Sequence, residues 1–291
     1  MLQKECNYDF RNRIDIVHLA GLADSATACQ ADEVAVTSAW RIAVPADAPA
    51  AVVETGKDLA DFFAVSMGTP VHVENTAGKK IVLDLNKDLD LPKGAFELDV
   101  TENQITISAS SCGGIRRGGV YIEDQMALRG APILKAGKIR REKLITPRIV
   151  HSGWGIELFP DSHLNAMMHA GFDAIAVFCT GHNRTNIGTL DFNDLVNRAA
   201  KYDVEVYLYA YLPSFKHPDD EDAVEFFESV YTRLLENIPE SLASCSSEKA
   251  PNFRAKTLQR PENATEKVLL TAFRTPVRLP AGGPARTIRH F

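Results

Sequence analysis

The stretch Phe172–Tyr211, FDAIAVFCTGHNRTNIGTLDFNDLVNRAAKYDVEVYLYAY, decides the fold class. Ala174–Cys179 is apolar throughout, as a strand covered on both faces requires. A polar loop follows. Asp191 then stands where a helix N-cap is wanted, ahead of Leu195, Val196 and Ala199 at helical spacing. Glu205–Tyr211 reads as the next strand. Upstream, Ile149–Leu158 is a strand running into a loop, and Phe159-Pro160-Asp161 opens a helix with Leu164, Met167, Met168 and Phe172 on one face. Asp161 or Ser162 is its candidate cap. Downstream, Ala223–Leu235 is helical, with Phe226, Phe227, Val230, Leu234 and Leu235. Strand and helix alternating in this way predict parallel βα units. Three units are visible, and a closed barrel and an open sheet both accommodate them.

Residues 35–135 follow a different plan, that of a small α/β unit. Trp40–Val44, Val71–Glu74 and Ile81–Leu85 read as strands, and Ala48–Met67 as a helix carrying Val52, Leu59, Phe62, Phe63 and Val65. Phe96–Val100 and Gln104–Ala109 flank Thr101-Glu-Asn, a hairpin signal. Cys112–Leu128 is again helical and opens on glycines. The expected organisation is an extension over 1–34, an α/β domain over 35–135, a basic linker over 136–146, βα units over 147–240 and an irregular tail over 241–291.

The composition, 45% hydrophobic and 24% charged, is that of an ordinary water-soluble globular chain. A net charge of −6 with no basic stripe before the tail argues against a nucleic-acid partner. No apolar run is long enough for a membrane span, and Met1–Arg13 lacks the apolar core of a signal peptide. Cys6, Cys29, Cys112, Cys179 and Cys245 are widely spread, which suggests reduced thiols and a cytoplasmic protein. Neither a metal nor a cofactor is expected. The glycines around Arg116-Arg117 match no phosphate-binding fingerprint, and His163 and His169 do not share a helix face at ligand spacing.

The order of parts resembles family 20 glycoside hydrolases, the β-N-acetylhexosaminidase group. Ile105–Leu134 is similar to the last strand and helix of that family's small α/β domain, and Pro147-Arg148 ahead of Gly153 to the start of its barrel. The resemblance covers roughly 35–240 and implies a (β/α)8 barrel acting on a carbohydrate. One departure is plain: the family carries an Arg just before that Gly, and this chain has Ser152. Arg148, His151 and Arg184 are the nearby replacements.

Near residue 240 the pattern breaks. Residues 241–291 hold nine Lys and Arg against three Asp and Glu, a local charge of +6 that leaves −12 on residues 1–240. In the family the acid carboxylate follows strand four, expected to begin near residue 241. With permitted wobble bases, Leu242–Pro261 re-reads in a shifted frame as GIVLVGESSEFPSKDPATTG, an apolar strand with a carboxylate-bearing loop. The expectation is therefore a truncated, frameshifted barrel without its acid; a genuine basic tail is the alternative.

Catalytic residues of βα folds gather at strand C-terminal ends. The candidates there for sugar contact are Trp154 and Glu157 after the first strand, His182, Asn183 and Arg184 after the second, and Tyr209 and Tyr211 at the end of the third. Trp154 suits stacking or core packing, and Glu157 suits a site or a solvated loop. Tyr209 and Tyr211 read as an aromatic platform or as edge packing, and the polar trio offers donors and acceptors for hydroxyls. Asp173 and Asp203 precede strands and are expected at the opposite, stabilising end. No catalytic residue is assigned.

Overall fold

The computed structural model describes residues 16–151, 158–179, 183–185, 188–210, 220–226 and 229. The chain separates into two compact units; described residues up to 210 belong to the first, and 220–226 and 229 to the second. The second shows one helical turn over 223–226, with Ala223 N–H donating to Asp220 O and Phe226 N–H to Asp222 O.

The first unit begins with a two-layer α/β fold. Its strands are β1 (Glu33–Ala35), β2 (Arg41–Ala43), β3 (His72–Val73), β4 (Lys80–Leu85), β5 (Phe96–Val100), β6 (Gln104–Ala109), β7 (Ile133–Lys135) and β8 (Gly137–Arg141). The helices are α1 (Ala50–Val65) and α2 (Cys112–Arg129). Six strands form one sheet in the order β3-β2-β4-β6-β5-β8, while β1 pairs with β7 apart from it. The pairs β3/β2, β2/β4 and β4/β6 are parallel; β6/β5 and β5/β8 are antiparallel. Thr101 closes the expected hairpin, donating its N–H (2.9 Å) and Oγ1–H (2.8 Å) to Gln104 O.

Alternation puts Ile105, Ile107 and Ala109 of β6 against the helices and Gln104, Thr106 and Ser108 on the other face. Trp40, Ile42, Leu59, Phe63, Ile81, Leu83 and Ile115 complete this one-sided core. The glycines of α2 have a packing role. A Cβ at Gly114 or Gly118 would collide with Ala95 O or the Ile107 side chain, so their absence lets the helix lie close to the sheet.

Two expectations are revised here. The basic segment after residue 135 contains β8, a full sheet strand, because its backbone pairs with β5 from Phe96↔Arg141 to Val100↔Gly137 although only Ile139 packs on the core. Cys112, expected as a reduced thiol, is disulfide-bonded; Cys29 is free and exposed.

The βα segment follows: β9 (Ile149–His151), α3 (Asp161–His169), β10 (Ala174–Cys179), the short pair β11 (Arg184–Thr185) and β12 (Gly188–Thr189), α4 (Phe192–Ala200) and β13 (Glu205–Ala210). β9, β10 and β13 form a parallel sheet in chain order. Asp191 caps α4 as expected, its carboxylate accepting from Asn193 N–H (2.9 Å) and Asp194 N–H (3.2 Å). Asp161 does not cap α3. It sits in the first turn and binds Arg198 of α4 at 3.2 Å, which ties the two helices together.

Candidate functional site

Parallel neighbours in register share a sheet face. Ile175, Val177 and Val206 form the face of β9-β10-β13 that the helices bury completely. Ile149 and His151 of β9, Ala174, Ala176 and Phe178 of β10, and Glu205 and Tyr207 of β13 occupy the other. This second face is more open: Ile149 is 37% exposed, His151 is exposed, and Ala176, Phe178 and Tyr207 are half-buried. His151 meets Phe178 edge-on, with ring centroids 5.9 Å apart. A βα fold builds its binding site at the C-terminal strand ends, toward which Phe178 lies on this face.

The two ends of this sheet differ in surroundings. At the N-terminal ends of the strands, Asp173 collects basic partners from the α/β layer. It accepts from Lys143 Nζ at 2.8 Å, from Arg148 N–H at 3.0 Å and from Arg117 Nη2 at short range. Burial works to raise the Asp173 pKa, but Lys143 and Arg117 outweigh it and hold the carboxyl below its ordinary range. Asp203 has its carboxyl enclosed at the start of α2 against Gly113, and this burial raises its pKa. Lys93 Nζ donates to Glu205 Oε1 at 2.6 Å. The aspartates thus lie at the end docked on the α/β layer, as expected of stabilising turn residues. The C-terminal strand ends point away from it.

Of the sequence candidates, Asn183, Arg184 and the backbone of Tyr209 are described. Trp154, Glu157, His182 and Tyr211 lie outside the described residues. Tyr209 is on β13 in register with Phe178, one residue before the strand ends; its side chain is likewise outside them. Asn183 has left-handed backbone (φ 51°), its carbonyl accepts from Leu190 N–H, and its Oδ1 accepts from Phe192 N–H at 3.1 Å. It therefore pins the loop after β10 onto the start of α4. Arg184 is exposed on the β11–β12 turn. Among the candidate replacements for the missing arginine, His151 stands on the open face, whereas Arg148 turns to Asp173 (3.7 Å) at the far end.

A second constellation lies at the junction of the two layers, where sequence spacing pointed to nothing. His18, Asp58, Glu123 and His169 converge there, and they are the group among the described residues able to hold a metal ion. Burial lowers the His18 pKa, but the carboxylates of Glu123, Asp61 and Asp58 prevail and push it up to about 9. Asp58 is held well below the carboxylate range: its burial acts upward and is overcome by His169 and Arg116. Asn165 ties the network to α3, donating to Asp58 Oδ1 at 2.8 Å and accepting from Arg116.

No protein-family profile and no curated protein matches the chain in sequence. Solved structures match its fold. The family 20 β-N-acetylhexosaminidase of Streptomyces coelicolor A3(2) aligns at TM-score 0.50 and 14% identity, covering 77% of this chain and 60% of that one. A point variant of the Streptomyces plicatus β-hexosaminidase in complex with product GlcNAc gives 0.51 and 13%, with 78% and 60% covered. The β-N-acetylhexosaminidase of Bacteroides fragilis gives 0.51 and 11%, with 75% and 55% covered. At such identities the likeness is one of fold: the chain shares an α/β architecture with these proteins. It spans 55–60% of the length of these proteins. No helix among the described residues is long and apolar enough to cross a membrane.

Proposed function

We propose that this chain is the front portion of a glycoside hydrolase similar to family 20, acting on oligosaccharides or glycosides. Residues 35–135 are its accessory domain, and 147–240 the first three βα units of a (β/α)8 barrel. The observation that carries the reading is the parallel sheet β9-β10-β13 in unbroken chain order, with helices on one face and an open face bearing His151, Phe178 and Tyr207. A barrel needs that order and turns that face inward. The likeness to solved hexosaminidases supports the same architecture.

Trp154, Glu157, His182, Asn183, Arg184, Tyr209 and Tyr211 then supply stacking surfaces and hydroxyl partners at the strand ends. Glycoside hydrolysis draws on an acid carboxylate; here it would follow a fourth strand. The tail over 241–291 does not encode such a strand in the present frame, so the chain as written is expected to be inactive. The protein is read as neither nucleic-acid- nor membrane-bound, and the disulfide at Cys112 removes the reduced-thiol ground for a cytoplasmic reading.

The test is to sequence the coding DNA across codons 236–250 and express the longest shifted-frame continuation beside the present chain. Turnover of aryl glycosides by the continuation and not by the present chain is the expected result. Stops in both shifted frames, with glycan retention by the present chain, would favour a non-catalytic carbohydrate-binding module.

A further inference from the structure

Four side chains distant in sequence meet where the α/β layer docks on the first βα unit. His18 comes from the segment before β1, Asp58 from α1, Glu123 from α2 and His169 from the last turn of α3. One ligand-type atom of each lies within 4.8 Å of those of the other three. His169 Nε2 is 2.9 Å from Asp58 Oδ2, and its Nδ1 is 3.2 Å from Glu123 Oε2. His18 Nε2 is 3.4 Å from Glu123 Oε2 and 4.0 Å from Asp58 Oδ1. Nitrogen and oxygen donors around a tetrahedral zinc ion stand about 3.3 Å apart, given metal–ligand distances of roughly 2.0–2.1 Å. A single ion takes one nitrogen of His169, and with one atom from each residue the four donors lie within 4.8 Å of one another, wide enough to draw in to that value.

Further observations point to a ligand. Glu123 Oε1 and His18 Nε2 are buried without a hydrogen-bond partner, on side chains only 6% and 4% exposed. Buried polar atoms are rarely left so. His18 Nδ1 is engaged at 3.0 Å by Asp61 Oδ2, the carboxylate–imidazole arrangement that orients a ligating histidine toward a metal. The charges also favour a cation. Asp58, Asp61 and Glu123 face one guanidinium, Arg116, whose Nη2 is 3.4 Å from Asp58 Oδ2. Zinc binding releases the proton that His18 holds, and with both imidazoles neutral the site is two negative charges in excess, which one divalent ion neutralises. Two imidazoles with two carboxylates suit zinc better than the hard, all-oxygen cations.

We propose that His18, Asp58, Glu123 and His169 form a zinc site that clamps the N-terminal segment and both helices of the α/β layer onto α3. It stands independently of the glycosidase reading, since it lies at the docked end of the βα sheet, away from the C-terminal strand ends.

The test uses the full chain, dialysed against chelator and then titrated with zinc sulfate and, separately, cobalt chloride. One equivalent of zinc should be retained after desalting, and Tm should rise on zinc addition and fall back with chelator. Cobalt should give the intense visible absorption of a four-coordinate site. Glu123→Gln and His169→Gln, which keep side-chain bulk, should lose the retained zinc. Asp61→Asn should weaken binding by about 10–100-fold. Zinc retained equally by the ligand variants overturns the proposal. So does a wild-type chain that neither retains zinc nor shifts its Tm, a readout that does not depend on any variant folding.

Discussion

The carboxylate of Asp203 occupies the space that a side chain at Gly113 would need, so the turn before β13 and the start of α2 are shaped to one another. A methyl group at Gly113 must displace a buried carboxyl that also sits on left-handed backbone (φ 54°). Gly113→Ala is therefore expected to destabilise the chain by about 1–3 kcal/mol, as overpacking does, read from the urea midpoint. Gly113→Ala with Asp203→Gly should recover part of that loss. No recovery would mean that the contact is not the cause.

Asp173 makes stability fall in acid. Its pKa in the folded protein lies below the unfolded value, so its contribution is complete above the unfolded carboxylate range and is lost as pH falls through the lowered folded value. Thermal melts from neutral pH downward should show wild type losing Tm more steeply than Asp173→Asn. Parallel acid limbs would remove Asp173 from the account.

Arg116 is 1% exposed, lies 3.4 Å from Asp58 and stacks over Tyr202 with its guanidinium carbon 5.5 Å from the ring centroid. Removing one partner of a buried pair strands the other. Arg116→Met should cost about 3–5 kcal/mol in chemical denaturation, and Arg116→Met with Asp58→Asn distinctly less than the sum of the two single changes.

Asp191 accepts two N–H groups at the start of α4, so Asp191→Ala should cost about 1 kcal/mol and Asp191→Ser little. Equal losses in the two variants would contradict capping as the cause.

Asn183 permits a separation of roles. Asn183→Asp keeps the acceptor for Phe192 N–H and a residue type that tolerates left-handed backbone, but removes the amide donor. Unchanged Tm with weakened glycan retention is expected if the amide meets a sugar. Unchanged retention would leave Asn183 only its part in holding the loop.

How far these elements were legible depended on whether the signal was local. The hairpin from Phe96 to Ala109 was readable to the residue because alternation and a short polar turn coincide. Asp191 was readable as a cap because capping is a one-turn interaction. β8 was not: Gly137–Arg141 has one core residue, Ile139, and joins the sheet through backbone pairing that any side chain permits. The glycines of α2 were seen as a helix start, but their purpose depends on Ala95, Ile107 and Asp203, all brought there by tertiary packing. The quartet at His169 was invisible for the same reason: no two of its members are close enough in sequence to share a turn. The strand-end candidates rest on the βα register, and of these Asn183 and Arg184 have described side chains.

The charged edge strand β8 has a consequence for assembly. Lys138, Arg140 and Arg141 line the last strand of the six-stranded sheet, and Lys138 already reaches back to Asp99 at 3.2 Å. A second copy offering the same strand would bring like charges together along the whole ladder, so this border repels its own kind. Among the described residues β9 carries no such row of lysine and arginine, and it presents Ile149 and Val150. Growth of the chain into larger species would thus start from the βα sheet rather than from the charged border of the α/β layer.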